Sequence, residues 1–345
     1  MGARILLAGV GSVGGVLAGA LLAGGHDVTL LTANPAITTA IRARGLVLET
    51  PAGRQQARAA VYTTERELPS ELRCDWLMLA MMAGAVEQAA RDCLPRLSAT
   101  GQVVTFQNGM VGERVAALAG AARTLVASVA FGAQMLAPGE YRRTSGGEIF
   151  IGQPGAASTP RLTALKALLD HVVPTTLSAN ITGVLWAKLA WNCAVSGLCA
   201  VSGLTLGELV ARADGRALFL RAYREALDTA RARGVTLEQV VIDHRRFYLP
   251  RAADATTRAT CDAAVAALAA PYGAVRPSAL QSLERGRRTE IGFLNGYLAA
   301  EAEACAAPAP LNARLAAMVE DIEAGRRGIT QDNLATLTPL LAADA

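Results

Sequence analysis

Lysine is nearly missing from this 345-residue chain. Of 33 Lys and Arg residues only two are lysines, Lys166 and Lys188. Aromatic residues are also scarce, at 4%. No basic cluster is interleaved with them, and the net charge of +4 is dispersed along the chain. That leaves out the phosphate-plus-stacking surface of a nucleic-acid binder. The six cysteines, at 74, 93, 193, 199, 261 and 305, form no CxxC pair or repeated spacing, and the three His are scattered. This pattern argues against a structural metal site and fits buried thiols in a reducing cytoplasm. Two apolar stretches look membrane-directed at first sight. The first, at the N-terminus, carries Gly9, Gly11, Gly14, Gly15 and Gly19 in patterned positions and runs straight into another strand-like segment, unlike a signal peptide. The second, ITGVLWAKLAWNCAVSGLCAVSG, holds Lys188, Asn192 and several Ser near its centre, which suits a buried helix better than a bilayer span. The expectation is a cytoplasmic chain without membrane or nucleic-acid partners.

What is abundant is apolar: 52% of residues are hydrophobic, and the mean hydropathy is +0.30. A chain of this length exceeds one ordinary core, so two domains are expected. The sequence pattern places them at 1–179 and 180–345.

The first half reads as a dinucleotide-binding unit. RILLAG is a short strand and leads into Gly9-Val10-Gly11-Ser12-Val13-Gly14. A helix follows, ending at Gly24-Gly25, and HDVTLLT is the next strand. Strand, G-x-G-x-x-G, helix, strand is the context this fingerprint requires. Gly9 permits the tight turn, Gly11 lets the backbone approach a pyrophosphate, and Gly14 lets the helix pack on the strand. The acidic residue that would bind a ribose hydroxyl, or the Arg that would take a 2′-phosphate, is absent from the end of the second strand. That position reads Thr32, Ala33, Asn34. CDWLMLAMM and GQVVTFQNGM are further strands, and the latter ends in Gln107-Asn108-Gly109. Ligands of open parallel sheets bind beyond the strands' carboxyl ends, so Asn108 is either a cofactor or substrate contact or a plain Asn-Gly turn. TLVASVAFGAQML, GEYRRTS and GEIFIGQ read as later strands, RLTALKALLDHV as a helix, and PTTLSANI as the passage to the second half.

From about residue 180 the patterns are almost all helical. Lys188, Asn192 and Ser196 are spaced i, i+4, i+8, which places an ammonium, an amide and a hydroxyl on one helix face. Such a stripe is expensive to bury in a core but suits a cleft wall. In GRRTEIGFLNGYL, Thr289 reads as a cap and Glu290 as the first turn of an apolar helix, where a carboxylate suits the helix dipole without any function.

Taken together, Gly9-Val10-Gly11-Ser12-Val13-Gly14, Gln107-Asn108-Gly109, Lys188-Leu189-Ala190-Trp191-Asn192, Ser278, Arg288-Thr289-Glu290-Ile291 and Asn295-Gly296 match in order the pattern of the 2-dehydropantoate 2-reductase (ketopantoate reductase) family. The sequence resembles that family over residues 3 to 325. The resemblance implies an α/β fold: an N-terminal Rossmann dinucleotide-binding domain, then an all-helical domain similar to the C-terminal domain of 6-phosphogluconate dehydrogenase, with the active site in the cleft between them. It implies reduction of a 2-oxo acid ketone, in pantothenate biosynthesis, with NADPH favoured and NADH an alternative, in a homodimer. Carried over by residue, it makes Lys188 the general acid, Glu290 the active-site glutamate, and Asn192, Ser196 and Ser278 substrate contacts. The glycine fingerprint, Thr32 and Asn108 fall to the cofactor. A lysine so placed stabilises and protonates the oxygen left negative by hydride addition. Three positions depart from the family pattern: Ala33 replaces a basic residue, Met82 a lysine, and Ser196 an asparagine. Two other readings stand beside this one. One is a related dehydrogenase of the 6-phosphogluconate, 3-hydroxy acid or opine type. The other is a nucleotide-sensing protein without catalysis.

Overall fold

The computed structural model describes residues 2–155, 159–239 and 243–342. It divides into two compact units, Met1–Ile181 and Thr182–Ala345.

The first unit alternates strand and helix. β1 (Arg4–Ala8), α1 (Ser12–Ala23), β2 (Asp27–Leu31) and α2 (Pro35–Arg44) open it. They are followed by β3 (Leu46–Thr50), β4 (Gly53–Ala57), β5 (Ala60–Tyr62), β6 (Cys74–Leu79), α3 (Val86–Cys93), β7 (Leu97–Thr105), α4 (Gly112–Ala119) and β8 (Thr124–Val129). β9 (Ala133–Ala137), β10 (Glu140–Arg143), β11 (Ile149–Gly152), α5 (Pro160–Leu169) and β12 (Thr175–Leu177) complete it. The main sheet runs β12-β11-β8-β7-β6-β1-β2-β5. From β5 to β8 every neighbouring pair is parallel, and only the β8–β11 pair is antiparallel. β1 is flanked by β2 on one side and β6 on the other, so the chain's winding direction switches beside β1. Apolar runs such as Ile5-Leu6-Leu7-Ala8 and Leu77-Met78-Leu79 are buried, as a sheet covered on both faces requires.

A second sheet, β4-β3-β10-β9, packs on the far side of α1. It explains the small residues along that helix. A Cβ on Gly15 would lie 2.2 Å from the Tyr141 ring, and one on Gly19 would lie 2.7 Å from Leu48. PTTLSANI does more than connect, since its Thr175–Leu177 pairs with β11 as an edge strand of the main sheet.

The second unit is helical: α6 (Ile181–Ser202), α7 (Leu206–Ala211), α8 (Ala213–Ala232), α9 (Ala255–Ala266), α10 (Ala269–Tyr272), α11 (Ser278–Glu284), α12 (Asn295–Ala304) and α13 (Pro310–Glu323), with two short turns after it. Among the described helices α6 alone has the length and hydropathy to cross a bilayer, and 83% of its most apolar window is buried inside protein. It is a core helix, and each fully buried Leu or Val side chain contributes roughly 1.5–3 kcal/mol. Several aromatics of the second unit gather against it. Trp191 meets Phe219, Phe247 and Tyr272, and Phe219 stacks on Tyr223. That cluster fixes the rotation of α6 beside Asn192.

Candidate active site

In the first unit the loops after β1 and β6 meet at the sheet's carboxyl edge. Gly9 has φ +96°, and a Cβ there would lie 2.4 Å from the Met81 nitrogen. A Cβ on Gly14 would lie 1.8 Å from the Gly9 carbonyl oxygen. Both glycines are demanded by the protein's own packing. Gly11 differs: a Cβ there meets nothing within 4 Å. No side chain caps the first turn of α1, and Ser12 and Val13 are partly exposed there. Uncapped first-turn N–H groups facing open space form the cradle a pyrophosphate needs. Val10 is 1% exposed, and its carbonyl accepts a 2.9 Å hydrogen bond from the Tyr141 hydroxyl. It shapes the loop and offers no side chain to a ligand.

At the end of β2, Thr32 is buried and its Oγ1 accepts from the Asn34 N–H at 3.4 Å. Asn34 Oδ1 caps α2 by accepting from the Ala36 N–H at 3.0 Å. Ala33 is exposed, and no charge stands at this turn. The downstream arginines are engaged elsewhere. Arg42 donates to the Val61 carbonyl and Glu67, and Arg44 to the Pro138 carbonyl and Glu140. Beyond β7, the buried Gln107 amide laces the edge together, donating to the carbonyls of Leu79 at 2.8 Å and Met81 at 3.0 Å. Asn108 follows, partly exposed, with Gly109 at φ +83°. The chain bends at Asn108-Gly109, with Asn108 only partly buried.

In the second unit, α6 carries Lys188 and Asn192 one turn apart, both partly exposed, whereas Ser196, one turn further, is 5% exposed. The polar stripe therefore sinks into the core as it runs along the helix. Burial pushes the Lys188 ammonium down to about 8, and the Glu290 carboxylate keeps it from falling further. The two residues belong to one electrostatic unit although they are a hundred positions apart in sequence. The Asn192 Nδ2 is buried and has no protein partner, a donor that stays costly until a ligand accepts from it. Ser278 begins α11 and is exposed.

The segment bearing Glu290 departs from the helix expected there. Residues Ile291–Phe293 form one 3-10 turn, and the α-helix starts only at Asn295. Glu290 is the N-cap residue of that turn but makes no capping hydrogen bond with its side chain. Thr289 does the local capping, its Oγ1 accepting from the Ile291 N–H at 3.1 Å. The break has a cause. Asn295 is fully buried, and its Nδ2 donates to the Cys193 carbonyl on α6 at 2.9 Å and to Asn312 Oδ1 at 2.8 Å. That tertiary anchor fixes where α12 starts. Asn312 in turn donates to Glu225, which also accepts from Arg221 and from the backbone N–H groups of Leu311 and Asn312. Sequence reasoning missed Asn312 and Glu225, and also Glu323, whose Oε1 accepts from the Thr289 N–H and hydroxyl. Each partner lies too far along the chain for spacing to show it.

A Rossmann sheet with an uncapped glycine turn, and a helical unit presenting a lysine against a glutamate, define an NAD(P)H-dependent oxidoreductase with a helical second domain. The comparisons make this specific. The family model of ketopantoate reductase matches residues 5–155, and that of the ketopantoate reductase C-terminal domain matches 180–323. The chain is 27% identical to a 2-dehydropantoate 2-reductase of Halobacterium salinarum, covering 85% of this chain and 90% of the relative. It is 28% identical to one of Mesorhizobium japonicum, covering 84% and 89%. It also resembles the crystal structure of a ketopantoate reductase from Ralstonia eutropha, at 28% identity and TM-score 0.79, covering 94% of this chain and 99% of that one. A D-mandelate dehydrogenase solved with NADH shares the fold at TM-score 0.81 and 18% identity, over 94% and 99%. The chain belongs to the ketopantoate reductase family and is an oxidoreductase acting on a CH–OH group, of the 2-dehydropantoate 2-reductase type.

Proposed function

We propose that this protein reduces the ketone of a 2-oxo acid, with 2-dehydropantoate as the first candidate, and that Lys188 is its general acid. The observation that carries this reading is the state of Lys188. An ammonium with a pKa of about 8, set by burial against Glu290, is still charged at neutral pH and close enough to that pH to release a proton. A bound NAD(P)H would supply the hydride. Lys188 Nζ stabilises the developing oxyanion, donates its proton to it, and is recharged from solvent. Glu290 keeps the lysine protonated between turnovers. Asn192 Nδ2 donates to a substrate oxygen and orients the ketone. Ser278 is the remaining substrate contact, and the buried Ser196 backs the stripe from within α6. The Gly9–Gly14 turn, Thr32 and Asn108 hold the cofactor, with NADPH favoured and NADH usable. The working assembly is a homodimer, in the cytoplasm.

A second reading, within the same chemistry, is a 2-oxo acid with a larger apolar side group. Met82 favours it. This side chain replaces the family's lysine and is 48% exposed, just past the carboxyl end of β6. A thioether there removes a charge and offers apolar contact. The two readings separate in a spectrophotometric screen that follows loss of reduced cofactor over 2-oxo acids graded by side-group size. Turnover with none of them would overturn the proposal.

A further inference from the structure

The Glu290 segment is held at both ends. Its far end is Asn295, pinned to α6 through the Cys193 carbonyl. Its near end is held by a residue with no place in the mechanism above. Glu323, the last residue of α13, turns one carboxylate oxygen onto Thr289. Oε1 accepts from both the Thr289 N–H and the Thr289 hydroxyl, each at 2.7 Å. The same hydroxyl then accepts from the Ile291 N–H. Two charge-assisted bonds of this length are strong for their kind, and with the third they fix the backbone on either side of Glu290.

We infer that Glu323 is a positioning residue: it sets where the Glu290 carboxylate stands relative to Lys188 and so governs the lysine's ability to hold its proton. This rests on the assignment of Lys188 and Glu290 to the reaction. Several features favour it over a purely structural clamp. The Glu290 side chain makes no capping bond to the turn it begins, so the backbone of that turn is held through Thr289. The turn is a short 3-10 piece whose own hydrogen bonds are few. Burial and Glu290 set the lysine's pKa, so Glu323 acts on it through the position of the segment and not through its own charge.

The test is a pH–kcat/KM profile of the full-length enzyme with the best substrate of the screen. In the wild type the rate falls as Lys188 deprotonates, near pH 8. In Glu323→Ala the loosened Glu290 supports the ammonium less. The limb is expected to move down by about half a unit or more, and kcat to fall roughly 10–100-fold, as a misplacement of about an ångström does. Glu323→Gln keeps an oxygen that accepts both bonds, so it should restore the limb and most of the rate. Thr289→Val keeps the backbone bond and deletes the hydroxyl, and is expected to shift the limb the same way by less. It serves if Glu323→Ala does not fold. A clamp without influence on the lysine predicts a lower melting temperature with an unmoved limb, and that result overturns the inference. So does a Glu323→Gln variant as impaired as Glu323→Ala. Lys188→Ala is run alongside. If it keeps wild-type turnover, the lysine assignment and this inference both fall. If turnover needs Lys188 but the limb ignores position 323, only the inference falls.

Discussion

Lys188 and Asn192 stand one turn apart on a helix otherwise built for burial, and each carries a cost that a structural role does not offset. The lysine is pushed to about 8 by burial, and the asparagine has an unmatched buried donor. Groups perturbed in this way concentrate where chemistry is done. Lys188→Ala is expected to lower kcat by roughly 10²–10⁴, the range of a lost general acid. Lys188→Arg should not restore it, because a guanidinium does not release its proton at working pH. The sign of the pH effect follows from the direction of the shift. A lysine lowered from 10.5 to about 8 loses its proton as pH rises through 8, so ketone reduction weakens above that pH while the reverse oxidation strengthens. Glu290→Gln removes the influence that raises the lysine's pKa, so the same limb should appear at lower pH. A pH profile that is flat from 6 to 10 in the wild type would show that another group carries the proton.

At the scale of elements, the glycine turn and α1 make a sharper test than any single contact, because Gly11 and Gly14 fail in different ways. Gly14→Ala drives a methyl group into the Gly9 carbonyl oxygen. The helix must shift, and the melting temperature should drop, by about 4 °C or more if the strain approaches 2 kcal/mol. Gly11→Asp meets open space, so the fold should melt near the wild-type temperature, but its carboxylate occupies and repels the pyrophosphate position. Titration with reduced cofactor and thermal melts of the two variants together would sink the assignment if Gly11→Asp bound cofactor normally. This turn was legible in the sequence because its signal is local: one strand, three spaced glycines, one helix. The α6 stripe was legible for the same reason, since i, i+4, i+8 spacing fixes a helix face. The four-stranded second sheet was not. It pairs β3 with β10, strands some ninety residues apart, and β4 is polar and exposed, so neither alternation nor burial marks it. The break before Asn295 was hidden too, because it is set by contacts with α6 and Asn312 and not by any local helix breaker.

For the molecule as a whole, the residues proposed to hold the cofactor and those proposed to handle the proton fall in separate compact units, residues 1–181 and 182–345. The proposed phosphate cradle is assembled from β1, α1 and the β6 loop. The lysine, its glutamate and the anchor of that glutamate all lie in the helical unit. Lys188→Ala should therefore leave the dissociation constant of the reduced cofactor within about twofold of wild type, even as kcat collapses. The choice between NADH and NADPH belongs to the first unit alone. With Thr32 buried, Ala33 uncharged and Asn34 spent on capping α2, none of these three side chains repels a 2′-phosphate or supplies a guanidinium to bind one. Discrimination by kcat/KM should be modest, favouring NADPH if either, and within about a hundredfold, or roughly 2.7 kcal/mol. Arg42 gives the control. Its guanidinium is committed to the Val61 carbonyl and Glu67, so Arg42→Ala should loosen the β5 edge and lower the melting temperature without changing the cofactor ratio. A variant that instead lost NADPH selectively would reveal Arg42 as the phosphate ligand, reached by a rearrangement of α2 on binding.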